Sequence, residues 1–192
     1  MKHIHVGFKR RLMLPLLGIA LCITVSTLFS SCAKDGATGT ANVIYSDWFT
    51  PSTYVKDTVF GVWGFSYNKA APEITAQMLD SSSVLVFGKL NGYNPVIWPT
   101  GQVSQLPITI IYLSGSTPYE DVWSALATVG NLKIRLIDDH NAYGSISNAH
   151  QFRYIIIPGG IAAARPAVGT TAPPNYAAMS YQQLCAKLNI PQ

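Results

Sequence analysis

The hydrophobic pattern divides the chain into three stretches. Residues 1–11 are basic, with Lys2, Lys9, Arg10 and Arg11 and no acid, and Leu12 to Phe29 is mostly apolar and uncharged. From Ala41 onward, short runs alternate polar with apolar positions and are separated by Gly, Pro, Asn and Ser. That is the pattern of strands joined by turns. It predicts strands over Ala41–Trp48 (Val43 and Tyr45 on one face, Ile44 and Trp48 on the other), Thr58–Tyr67, Ser83–Leu90, Pro107–Leu113, Tyr119–Thr128, Leu132–Ile137 and Gln151–Ile157. In Thr58–Tyr67, Val59, Gly61, Trp63, Phe65 and Tyr67 fall on one side, and Gly61 and Gly64 predict a bulge or a close backbone approach. Leu132, Ile134 and Leu136 alternate with Lys133, Arg135 and Ile137 as in a half-exposed strand, whereas Gln151–Ile157 is apolar enough to be central.

Two helices interrupt the alternation. Glu73–Asp80 follows Pro72 and puts Ile74, Met78 and Leu79 on one face. Near the C-terminus, Ser180 and Gln183 have the spacing of a capping box, and Tyr181, Leu184, Cys185 and Leu188 recur at helical spacing before Pro191. Turns are predicted at Asn91-Gly92, where both residues tolerate positive φ, at Ser114–Thr117, at Gly130-Asn131 and at Pro158–Gly160. Tyr93–Leu106 reads as loop. Asp138–His150 reads as polar loop with a short strand near Tyr143–Ile146, and Ile161–Asn175 as irregular. No β-α-β alternation and no repeat is visible. The predicted fold is mainly β: an antiparallel β-sandwich with a short internal helix and a short C-terminal helix, preceded by a signal-peptide helix.

A basic start, an apolar middle and small residues before Cys32 make the three-part pattern of a secretory signal. Arg10-Arg11 is followed by Leu12-Met13-Leu14 and reads as ordinary flanking charge rather than a twin-arginine signal. Leu28-Phe29-Ser30-Ser31-Cys32 resembles the lipobox of bacterial lipoproteins, with Phe29 where the usual pattern has Leu. The reading divides the chain into a signal peptide (1–31), a lipidated cysteine with a small, polar, flexible tether (32–42) and a single β-sandwich domain (43–192).

Gly36-Ala37-Thr38 and Gly39-Thr40-Ala41 are Gly-X-Y triplets, too few and too poor in proline for a triple helix. Together with Gly39-Thr40-Ala41-Asn42-Val43, Trp98-Pro99-Thr100-Gly101 and Phe152-Arg153-Tyr154-Ile155-Ile156-Ile157-Pro158-Gly159-Gly160, they resemble a group of Gram-negative lipoproteins. That group has a lipobox, a collagen-like stretch and a C-terminal β domain, and the resemblance covers most of the chain. It implies three acyl chains on Cys32. At ~0.8 kcal/mol per buried CH₂ these would anchor the chain permanently. It also implies the cell outer membrane, since Ala33 rather than Asp follows the cysteine, on the periplasmic or surface face. It implies no activity.

Charge narrows the partners. Four of the 13 basic residues lie before Cys32, so nine remain to balance nine acidic residues. A domain with no net charge gives no footprint for nucleic acid. Of three cysteines, Cys22 lies in the signal and Cys32 takes lipid, leaving Cys185 without an intramolecular partner. Its helical face predicts a buried, inert thiol.

Candidate chemistry is sparse. Asp138-Asp139-His140 with His150 is the one metal-like cluster, but its spacing is not that of a typical ligand set, so no metal and no cofactor are expected. There is no G-x-S-x-G, H-E-x-x-H or P-loop, and the chain is not expected to be an enzyme. Trp48, Trp63 and Trp123 fall in predicted strands and read as core. Tyr93 and Trp98 fall in a loop, where they either stack on a sugar ring or fold the loop over the core edge. The leading expectation is an envelope-anchored lipoprotein with a non-catalytic interaction or structural β domain. Its partners are the membrane, through lipid on Cys32, and another envelope protein or a glycan. One alternative is a glycan-binding module using Tyr93 and Trp98; a second is a hydrolase with an unrecognised site near Asp138, Asp139 and His140.

Overall fold

The computed structural model describes residues 42–59, 61–159 and 174–192. The predicted signal-peptide helix, Cys32, the tether up to residue 41 and most of the irregular stretch before Asn175 lie outside the described residues.

Among the described residues, nine strands and two α-helices follow in order: β1 (Ile44–Tyr45), β2 (Val55–Val59), β3 (Val62–Ala70), α1 (Ala76–Ser81), β4 (Ser82–Lys89), β5 (Ser104–Gln105), β6 (Ile108–Ser114), β7 (Thr117–Thr128), β8 (Asn131–Asp138), β9 (Gln151–Pro158) and α2 (Tyr181–Leu188). A four-stranded sheet has the order β1-β9-β4-β5, and a five-stranded sheet has the order β2-β3-β8-β7-β6. All neighbours are antiparallel. The chain is an antiparallel β-sandwich.

Period-two alternation builds the layers. In the five-stranded sheet, Phe65, Ile108, Ile110, Trp123, Leu132, Ile134 and Leu136 turn inward to meet Val86, Phe152, Tyr154 and Ile156 of the other sheet. The alternate residues of the smaller sheet, Leu85, Phe87, Ile155 and Ile157, form a second cluster with Tyr181, Leu184 and Cys185 of α2 and with Ile190. That sheet is therefore covered on both faces, which is why β9 carries an unbroken Ile155-Ile156-Ile157 run. As expected, β9 is central, between β1 and β4.

An eight-residue helix is marginal alone, and α2 is held by its ends and its face. Ser180 Oγ accepts from Gln183 N–H while Gln183 returns the bond to Ser180 N–H, the expected capping box. Tyr181, Leu184 and Cys185 are buried, each large apolar side chain contributing roughly 1.5–3 kcal/mol. Arg153, itself buried, donates from Nη1 to Tyr181 Oη (2.7 Å) and to the Pro191 carbonyl, and from Nε to the Ser46 carbonyl (2.8 Å). It ties the C-terminal segment to β9.

Several expectations need correction. Thr58–Tyr67 is not one strand: Gly61, at φ +81°, turns the chain between β2 and β3. Gly64 does make the expected close approach, since a Cβ there would lie 2.6 Å from the Leu136 carbonyl oxygen. The first strand covers only Ile44–Tyr45, because Ser46 turns its hydroxyl to the Tyr154 N–H; Val43 and Trp48 then join the same cluster. The first helix starts at Ala76, with Thr75 as its N-cap. No strand forms at Tyr143–Ile146.

Candidate functional site

Of the two loop aromatics singled out as a sugar platform, Trp98 is only 5 % exposed. The Asn94 carbonyl accepts from both Ile97 and Trp98 N–H, and the Pro99 carbonyl from Gln102 N–H. These tight turns drive the indole into the cluster that holds Ile108 and Ile110, with its Nε1 donating to the Gln102 carbonyl at 3.3 Å. The loop is folded over the core edge, and the Trp98 indole is almost wholly covered. Trp63, expected in the core, is instead 42 % exposed. It lies at the end of the sheet beneath the Lys56 ammonium, 5.3 Å from the ring centre.

Tyr93 belongs to a buried network. Its hydroxyl donates to Asp121 Oδ2 at 2.7 Å and accepts from Trp123 Nε1 at 2.9 Å. Tyr143 donates to the same Asp121 oxygen at 2.6 Å, and since its proton is spent there, Tyr112 supplies the proton of the 2.7 Å Tyr112–Tyr143 bond. Asp121 is fully buried, and its Oδ1 has no partner among the described residues. Burial pushes the carboxyl above its usual range, while the hydrogen bonds from Tyr143 and Tyr93 pull the other way. Burial and the bond to Asp121 raise both phenols, so they stay protonated donors. The sequence held a signal for this network. Alternation puts Asp121 on the same face as Trp123, an acid at a core position.

Beside the network lies a cavity of about 190 Å³ lined by Gly92, Tyr93, Trp123, Tyr143, His150 and their neighbours. His150 is buried, and desolvation lowers its imidazole to about 4, so it is neutral at neutral pH. Gly92 N–H lies 3.4 Å from Nδ1, which assigns the remaining proton to Nε2. Gly92 is not held by a positive φ, as its turn position suggested. A Cβ there would lie 2.6 Å from two atoms of the His150 ring. With the Tyr93 and Tyr143 protons committed to Asp121, this cluster stores hydrogen bonds rather than presenting a general base or nucleophile.

The acid-rich loop is tied by its own hydrogen bonds. Asp138 is buried and caps its own turn: Oδ1 accepts from His140 N–H (3.1 Å) and Oδ2 from Tyr143 N–H (3.2 Å). Asp139 pairs with His140 Nδ1 at 2.6 Å on the surface and accepts from Glu120 N–H. The His140 bond, then the Glu120 N–H, holds its carboxyl below the usual range. His150 is turned into the Tyr93–Trp123 cluster instead of joining them. Among the described residues no group of three His, Cys, Asp or Glu is placed to hold a metal. Cys185 is buried, as its helical face predicted. No described helix is long and apolar enough to cross a membrane.

What remains open is a strand edge. β6 ends the five-stranded sheet, and Thr109–Leu113 line a groove of about 740 Å³ against Val96, Ile97, Trp98 and Gln102. Val96 is 92 % exposed, Leu113 69 %, Ile111 67 % and Ile97 38 %. Apolar side chains gathered this way mark interaction surfaces. Ile108–Ser114 contains no charge, the usual protection of an edge strand. The opposite edge, β2, carries Lys56 and Asp57. In comparisons with known proteins, no family model, no curated protein and no solved structure matches this chain.

Proposed function

We propose that the chain is an envelope-anchored lipoprotein, acylated at Cys32 and held at the outer membrane, whose β-sandwich is a non-catalytic interaction domain. The observation that carries the interaction reading is the uncharged β6 edge, with Ile111 and Leu113 exposed on it and Val96 and Ile97 exposed beside it. Supporting it, the titratable groups that drew attention in the sequence have structural duties: Asp138 caps a turn, and Cys185 is core. The anchor rests on the basic, apolar and small-residue pattern ending at Cys32.

Cell fractionation tests the anchor. The full-length chain is expected in the membrane fraction, and Cys32→Ser is expected to leave the outer-membrane fraction. A Cys32→Ser chain that stays with the outer membrane as completely as the parent would overturn the reading.

A further inference from the structure

The β6 edge can be read atom by atom. Ser114 pairs with Thr117 across a two-residue turn whose first residue, Gly115, has φ +66°. In such a hairpin the flanking pair exchanges hydrogen bonds, and bonded and non-bonded pairs then alternate. Ser114, Tyr112, Ile110 and Ile108 are therefore bonded to β7. Thr109, Ile111 and Leu113 direct their N–H and C=O groups outward. Glu120, paired with Ile111, has the matching parity: its N–H goes to Asp139 Oδ1 and its carbonyl accepts Asp139 N–H, on the β8 side of β7. Among the described residues, no strand pairs with β6 on its outer side. Six backbone groups, alternating donor and acceptor at strand spacing, point away from β7.

An extended strand matches such a row group for group. Three features say whose strand it is. The row is self-complementary: a two-fold axis at Ile111 sets Ile111 against its own copy and Thr109 against Leu113, so that each pair exchanges both bonds. The edge is uncharged, so two identical edges do not repel. Finally, Lys56 and Asp57 guard the β2 edge, which disfavours head-to-tail growth and leaves a closed, isologous pair.

We propose that two copies of this chain pair antiparallel, β6 to β6, joining their five-stranded sheets into one continuous sheet. This rests on the anchored-interaction reading. A strand of about 23 Å, at ~3.3 Å per residue, makes a small interface, and anchoring in one membrane supplies the effective concentration it needs.

In-cell crosslinking of the full-length chain tests the pairing. Ile111→Cys puts two thiols opposite each other across the two-fold axis. Val55→Cys, 63 % exposed on β2, is the control, and the unsubstituted chain reports background from Cys32 and Cys185. After a short bismaleimide, an adduct of twice the chain mass is expected from Ile111→Cys alone, and its loss is expected when Leu113→Lys is added. Equal adduct from Val55→Cys, or persistence with Leu113→Lys, would overturn the pairing. An Ile111→Cys adduct of another mass would assign β6 to a different protein, overturning the second copy while leaving the interaction reading intact. No adduct of any mass would overturn both.

Discussion

Tyr93 gives its phenol proton to Asp121 at 2.7 Å across 28 residues of chain, and the same oxygen of Asp121 takes the Tyr143 proton. A loop, a strand and a second loop therefore meet on one buried carboxylate. Asp121→Ala strands two hydroxyls in the core and is expected to destabilise the fold by at least about 2 kcal/mol. Tyr93→Phe removes the acceptor of Trp123 Nε1 and is expected to cost about 1–3 kcal/mol. Urea midpoints measure both, and an unchanged midpoint for Asp121→Ala would contradict this role.

His150 sets an acid dependence. Its folded imidazole is lowered to about 4 by burial, whereas an unfolded one titrates near ~6.5. Between these values the unfolded chain binds a proton that the folded chain refuses. The contribution of His150 is thus complete above about 6.5 and is lost as pH falls toward 4, by up to roughly 3 kcal/mol. Asp121 acts in the opposite sense: with its pKa raised, the folded chain takes the proton first and gains stability as pH falls. His150→Gln isolates the first effect. The stability gap between parent and variant is expected to shift by roughly 3 kcal/mol in the variant's favour from pH 7 to 4, and a gap independent of pH would contradict it.

The tryptophans separate by burial rather than by element. Trp98→Ala empties a core position and is expected to cost about 3–5 kcal/mol. Trp63→Ala, at an exposed sheet end, is expected to cost about 1 kcal/mol or less. Thermal denaturation of the two variants gives the ranking; the reverse order would refute the placement of both rings.

Gly92→Ala tests steric demand. The added methyl meets the His150 ring, which is packed against Trp123 and Tyr93. The expected cost is about 1–3 kcal/mol. Combining it with His150→Ala, which clears the space, is expected to make the pair markedly less costly than the sum of its parts. Simple additivity would contradict the contact.

Much of the fold was readable from alternation and caps. Leu132, Ile134 and Leu136 are inward as their period required, and the Ser180–Gln183 box opens α2. What alternation could not give was depth. Trp63 and Phe65 share a face, yet one lies at the sheet end and the other in its middle. Trp98 sits in a polar, proline-bearing loop, but the loop's own turns bury it. Gly92 looked like a turn glycine because its constraint comes from a residue 58 positions away. The β6 edge was hidden for the same reason: Ile108–Ser114 reads as a strand, and only strand order shows that it ends its sheet among the described residues.

Intact-mass spectrometry of the mature chain, purified from membranes with its N-terminal peptide sequenced, tests the central claim most directly. The expected product begins at Cys32, lacks residues 1–31 and carries the added mass of acyl chains on that cysteine. A mature product that begins at Met1, or one with an unmodified Cys32, would contradict it.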